Sequence, residues 1–207
     1  MGQSIVDCCN GALQKLGAMR IQALTDNSRE ARQCALALDA NRRDELGAYS
    51  WNFAIKRVVL APDATPPAFG FLYRFLLPGD CLKIIRPPVP NLDWVVEGNY
   101  LLSNCDNPGP SWLNVYPGGN TAGTGATSLN LRYVADITDP NLWAGPFYDV
   151  MQHAMAIDMC EPLTNSTSKK ESLLRSYRDA VNEAKVANAF ENTPQDAPDD
   201  DFWNCRY

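Results

Sequence analysis

The hydrophobic period changes twice along this chain, and that limits the fold more than any other feature. Ile5, Cys9, Ala12, Leu13 and Leu16 recur at three- and four-residue spacing, lining one face of a helix from Gln3 to Leu16, and Gly17 supplies a left-handed stop. A second helix, capped by Asn27 or Ser28 with Glu30 near its positive end, carries Ala31, Cys34, Ala35, Leu38, Arg42, Leu46 and Tyr49 on a narrow inner stripe. Small residues dominate that stripe, so another helix can approach closely. This helix closes on Trp51-Asn52-Phe53-Ala54, a corner followed by a short strand and Pro-rich breaks.

From there the period is that of strands. Phe71 to Leu76, Cys81 to Ile85, Trp94 to Leu102 and Leu129 to Val134 are short segments rich in aliphatic, β-branched and aromatic residues, separated by Pro and Gly clusters. Leu129, Leu131 and Tyr133 alternate with Asn130 and Arg132, the pattern of a strand with one wet face, and Gly98-Asn99 reads as the centre of a hairpin turn. The helical period returns at Pro146, with Phe147, Val150, Met151, Ala154, Ile157 and Asp158 on one face. Pro162 and Asn165-Ser166-Thr167 mark a break, Ser168 with Glu171 forms a capping box, and Leu173 or Leu174, Tyr177, Ala180, Val181, Ala184 and Ala187 continue the inner stripe. The predicted architecture is α+β: a discontinuous helical body over 1–56 and 140–191, packed as a bundle, with an antiparallel β-region at 57–139 inserted into it. The acidic, Pro-broken segment 192–207 cannot bury enough apolar area to fold alone and is expected to extend as a tail.

Composition narrows the chemistry. Lys and Arg number 18 against 24 Asp and Glu, and the net charge of −6 argues against a surface built to hold nucleic acid. No apolar run approaches the roughly 20 residues of a membrane span, and no basic segment followed by an apolar one opens the chain, so synthesis in the cytoplasm without membrane association is expected. The 7 cysteines are an odd count in mostly apolar surroundings, which favours buried thiols over a disulfide framework.

Catalytic signatures are sparse. His153 is the only histidine, and it reads as a satisfied or exposed helical residue rather than a general base. Neither C-x-x-C nor H-E-x-x-H is present, so no metal site or cofactor is predicted. The Gly118 to Gly125 stretch lacks the Lys of a phosphate-binding loop and reads as a connection between strands. Asp80, Asp93, Glu97, Asp136 and Asp139 lie in or beside the β-region, with Trp94, Trp112 and Trp143 near in sequence. They leave open an alternative class, a tail-associated polysaccharide-degrading hydrolase working through a carboxylate pair. A free-standing DNA-binding module is a further rival, although Arg29, Arg32, Arg42 and Arg43 interleave with Glu30, Asp44 and Glu45 and read as a solvated or inter-subunit helix face.

Several stretches together resemble one family, the head-to-tail adaptor or tail tubular protein A of short-tailed bacteriophages. They are Asn10, Ala12, Leu13, Leu16 and Gly17; Ile21 with Leu24-Thr25-Asp26; Arg43-Asp44-Glu45 with Trp51-Asn52-Phe53-Ala54; and Leu77-Pro78-Gly79-Asp80-Cys81-Leu82-Lys83-Ile84 after Tyr73-Arg74-Phe75. Weaker likeness continues in Leu131 to Val134, Ile137 to Pro140 and Asp158 to Leu163. The resemblance implies a non-enzymatic structural protein of the virion tail: a ring of identical copies, expected to be dodecameric, joining the portal protein to the tail nozzle protein while genomic DNA passes through the lumen without specific binding. It further implies a helical body facing the portal, a β-region facing the nozzle, and a tail from about Pro194 reaching along the portal with Phe202, Trp203 and Tyr207 as anchors. Trp51 and Phe53 are expected to lock the junction between the two halves, and Arg42, Arg43, Asp44 and Glu45 to form charge pairs between neighbouring subunits.

Overall fold

The computed structural model describes residues 3–85, 93–104 and 128–191. Among these residues two helices, six strands and two further helices follow one another as the period changes require: α1 Ile5–Leu16, α2 Arg29–Ala48, β1 Ile55–Leu60, β2 Tyr73–Leu76, β3 Cys81–Ile85, β4 Trp94–Glu97, β5 Tyr100–Ser103, β6 Leu129–Ala135, α3 Gly145–Thr164 and α4 Thr167–Phe190. The fold is α+β, as expected, and its strands form two antiparallel sheets of three rather than one continuous layer, in the orders β1-β6-β3 and β2-β5-β4.

Two compact units divide the chain, one taking residues up to 38 and from 144 onward, the other residues 39–143. The sequence reading put all of 1–56 with the helical body. The second half of α2 and the corner after it group with the strands: Arg42 is bonded to Asp136 beyond β6, and the Trp51 indole is bonded to Glu45 O.

In the helical unit, Ser4 rather than Gln3 begins α1, its hydroxyl oxygen accepting from the Asp7 N–H at 3.0 Å. Gly17 ends it at φ 69°, and Ala18 N–H returns to Leu13 O at 3.0 Å, closing the turn that only a left-handed residue permits. Cys8, Cys9, Ala12, Leu13 and Leu16 are buried, so the stripe follows the spacing from Cys9 to Leu16, with Cys8 added and Ile5 only partly buried. α1 and α4 both pack on α3. That central helix is buried nearly all round, through Phe147, Val150, Met151, His153, Ala154, Met155, Ala156, Met159 and Cys160. Asp158 is an exception and is exposed, contrary to the reading that put it on the inner face.

Two boundaries move. α3 continues through Pro162 to Thr164 and ends on Asn165 at φ 50°; a proline so near the end forfeits one intrahelical bond without stopping the helix. α4 is then capped by Ser166, whose hydroxyl oxygen accepts from Lys169 N–H, so the capping box expected from Ser168 and Glu171 does not form.

In the strand unit, Leu60, Phe75, Leu101, Leu129 and Leu131 form a core drawn from both sheets, with Val58, Tyr73, Leu77, Ile84 and Trp94 packed against it. Each fully buried Leu or Phe contributes about 1.5–3 kcal/mol. β6 is central in its sheet, pairing Ile55 with Val134 on one side and Ile84 with Tyr133 on the other. Leu129, Leu131 and Tyr133 are buried while Asn130 and Arg132 are only partly so, as the alternation indicates. The Gly98-Asn99 hairpin is present, with Glu97 opposite Tyr100 and Gly98 at φ 58°.

Candidate functional site

The residues singled out at the helix-to-strand corner converge in the strand unit. Trp51 is 2% exposed. Its indole N–H donates to Glu45 O at 2.9 Å, turning the chain back on the last turn of α2. Tyr49 meets its ring edge-on at 5.2 Å between centroids, and Phe53 stacks at 6.5 Å. Such pairs add about 0.5–1.5 kcal/mol beyond area burial. Trp51 and Phe53 thus occupy the exit from α2, Trp51 immediately before the 3-10 turn Asn52–Ala54 and Phe53 within it, just ahead of β1.

Beside the corner lies a charged network. Asp136, just beyond β6, accepts from Arg42 Nε at 2.8 Å and Nη2 at 3.1 Å, and from Arg43 Nε at 3.1 Å. Arg42 also pairs with Asp39 one turn back on α2. The Asp136 N–H donates to Asp80 O at 2.8 Å. Asp80 in turn takes Lys56 Nζ at 2.7 Å and the Tyr133 hydroxyl at 3.0 Å. One polar chain therefore ties α2 to the ends of β1, β3 and β6. Hydrogen bonds from Arg42 hold the Asp136 carboxyl below the usual carboxylate range, and Lys56 does the same for Asp80. Burial first, and the bond to Asp80 second, push the Tyr133 phenol up to about 12.

These contacts revise the expected inter-subunit charge set. Arg42 is 6% exposed and its ion pairs with Asp39 and Asp136 are made within the chain. Glu45 is buried. Arg43 and Asp44 remain exposed on α2. Of the carboxylates considered for hydrolysis, Asp80 and Asp136 are shifted toward the ionised form, the opposite of what a general acid needs. Asp139 caps the 3-10 turn Pro140–Leu142 by accepting from Asn141 N–H at 3.0 Å. Trp94 packs against the strand core and Trp143 is buried with its N–H on Ile137 O, so neither stands free as a sugar platform. Trp112, the Gly118 to Gly125 stretch, and Phe202, Trp203 and Tyr207 lie outside the described residues.

In the helical unit His153 is 9% exposed, with Nδ1 3.0 Å from Asp149 O and 3.3 Å from Asp149 Oδ2. Asp149 also takes Lys15 Nζ at 2.9 Å. The histidine is a buried, bonded residue linking into an ion pair between α1 and α3. Asn10 makes two bonds to one residue, Nδ2 to Ile21 O at 3.0 Å and Oδ1 from Ile21 N–H at 2.9 Å, fastening the segment after α1 to the helix. Asp26 closes the same segment through the N–H groups of Gln22 and Ala23. Burial pushes the Cys8 thiol up to about 12, and Cys8, Cys9, Cys34, Cys81 and Cys160 are free thiols. Among the described residues no three His, Cys, Asp or Glu side chains gather as a metal ion requires, and no helix is long and apolar enough to cross a membrane.

Sequence reasoning missed Asp136 as the acceptor of the α2 arginines and Trp143 as a second corner tryptophan. The only local signal for either was the acidic and aromatic content of Ala135 to Trp143. Compared with known proteins, the chain matches no protein-family model and no curated protein.

Proposed function

We propose that this chain is a structural adaptor of a bacteriophage tail, a ring-forming protein that joins the portal to the tail nozzle and lines part of the DNA channel. One observation carries the reading. The residues on which the family resemblance rests are joints of the fold: Asn10 with Ile21, Asp26 in its turn, Arg43 on Asp136, Trp51 on Glu45, and Asp80 between Lys56 and Tyr133. A set of residues that shapes the fold rather than supplying a reacting group suits a protein whose work is to hold partners in register. The net charge of −6 supports the same reading, since carboxylates facing a lumen repel phosphates and let DNA slide.

In this reading the acidic end of the chain binds portal, with Phe202, Trp203 and Tyr207 as anchors. Calorimetric titration of portal with the full chain and with one lacking residues 194–207 tests it. Weaker binding by the shortened chain, with its unfolding midpoint unchanged, is the expected result, and equal affinity contradicts the tail's role.

A further inference from the structure

Arg43 differs from its neighbour Arg42 in one respect that matters for assembly. Both guanidinium groups bind Asp136, but the Arg42 side chain is 7% exposed and the Arg43 side chain 65%. Arg43 uses only Nε, at 3.1 Å from Asp136 Oδ2, and among the described residues neither of its Nη groups has a partner. The carboxylate that holds it is itself fixed, because Arg42 grips both Asp136 oxygens. The outer edge of the Arg43 guanidinium is therefore a planar pair of donors aimed at solvent and already oriented, and a preset fork loses less freedom on binding than a mobile side chain does.

We infer that Arg43 is the copy-to-copy contact of the proposed ring, its Nη pair receiving a carboxylate of a second copy of this chain, with Arg42 and Asp136 as positioning residues. The inference rests on the adaptor reading. Charge complementarity names the partner: carboxylates outnumber basic groups 24 to 18, so a neighbouring copy offers an excess of acceptors. A planar fork also suits a carboxylate better than a lysine ammonium can.

The test measures sedimentation of the full chain over a concentration series, and the cooperativity with which copies load onto portal, for the natural chain, Arg43→Ala and Arg43→Lys. Both variants are expected to keep the natural unfolding midpoint and to weaken copy-to-copy association by roughly tenfold or more, with Lys failing to restore it. Unchanged association of Arg43→Ala overturns the inference and leaves the adaptor reading standing. A natural chain that stays single-copy both alone and on portal overturns the two together. Loss confined to binding of the first copy on portal, with coupling between copies intact, overturns it in favour of a portal carboxylate.

Discussion

Trp51 and Trp143 make the same bond before the first strand and after the last: each indole N–H donates, at 2.9 Å, to the carbonyl six residues earlier, Glu45 for the first and Ile137 for the second. Both side chains are buried, at 2% and 4% exposure. Since Ile55 pairs with Val134, the two tryptophans flank the same end of the β1-β6 ladder, one before the chain enters it and one after it leaves. Trp51→Ala and Trp143→Ala should each cost about 3–5 kcal/mol, as large aromatic truncations in cores do. Trp→Phe should cost about 1–3 kcal/mol, the penalty for a buried carbonyl left without its donor. Urea unfolding of the four variants checks this, and a loss under 1 kcal/mol for Trp143→Ala contradicts its place as a second lock.

The Arg42–Asp136 pair predicts strong coupling. Arg42→Ala leaves a nearly buried carboxylate held only by the exposed Arg43, and should destabilise by about 3 kcal/mol. Adding Asp136→Ala should recover part of that loss, so the double variant falls well short of the sum of the single effects. Additive losses in a double-mutant cycle contradict the pairing.

Acid stability follows from the same carboxylates. Asp136 and Asp80 have folded values below their unfolded ones, so their contribution is complete above the unfolded value of about 4 and is lost as pH falls through the folded values. Denaturant midpoints should fall steeply below about pH 4, and less steeply in Asp136→Asn, whose starting stability is lower. An identical acid limb in that variant contradicts the assignment.

The alkaline limb reports on Tyr133. Its folded value, pushed up to about 12, lies above the unfolded value of about 10, so the stability it contributes is present below pH 10 and disappears as pH rises from about 10 to about 12. Ultraviolet titration should show Tyr133 and Tyr148, whose phenol burial also pushes up, ionising late, with one fewer late-ionising tyrosine in Tyr133→Phe. A natural chain whose tyrosines all ionise near pH 10 contradicts the burial and the bond to Asp80.

Gly98 isolates a backbone effect. Its φ is 58° and an added Cβ meets nothing within 4 Å, so Gly98→Ala should cost about 1–2 kcal/mol through left-handed strain alone. A neutral effect on the unfolding midpoint contradicts the hairpin geometry.

What the sequence made legible was local. The spacing of Cys9, Ala12, Leu13 and Leu16, the stop at Gly17, the Gly98-Asn99 turn and the alternation through β6 each depend on neighbours a few residues apart, and each appears in the fold. The misreadings needed tertiary context. Ser166 takes the cap expected at Ser168 because Asn165 ends α3 in a left-handed turn and leaves a two-residue link. α3 buries residues around most of its circumference because α1 and α4 both pack on it, which a one-faced periodicity does not anticipate. Arg42 and Asp136 stand 94 residues apart, and nothing in the local pattern of either selects the other. The place of Trp51 between α2 and the first strand was legible, whereas its counterpart Trp143 lay among acids that suggested chemistry.

The adaptor proposal is tested most directly by electron microscopy of the purified full chain with and without portal. It predicts a closed ring of copies seated coaxially on portal, with an open lumen wide enough for duplex DNA. Scattered single copies, or no complex with portal at concentrations well above micromolar, would contradict it.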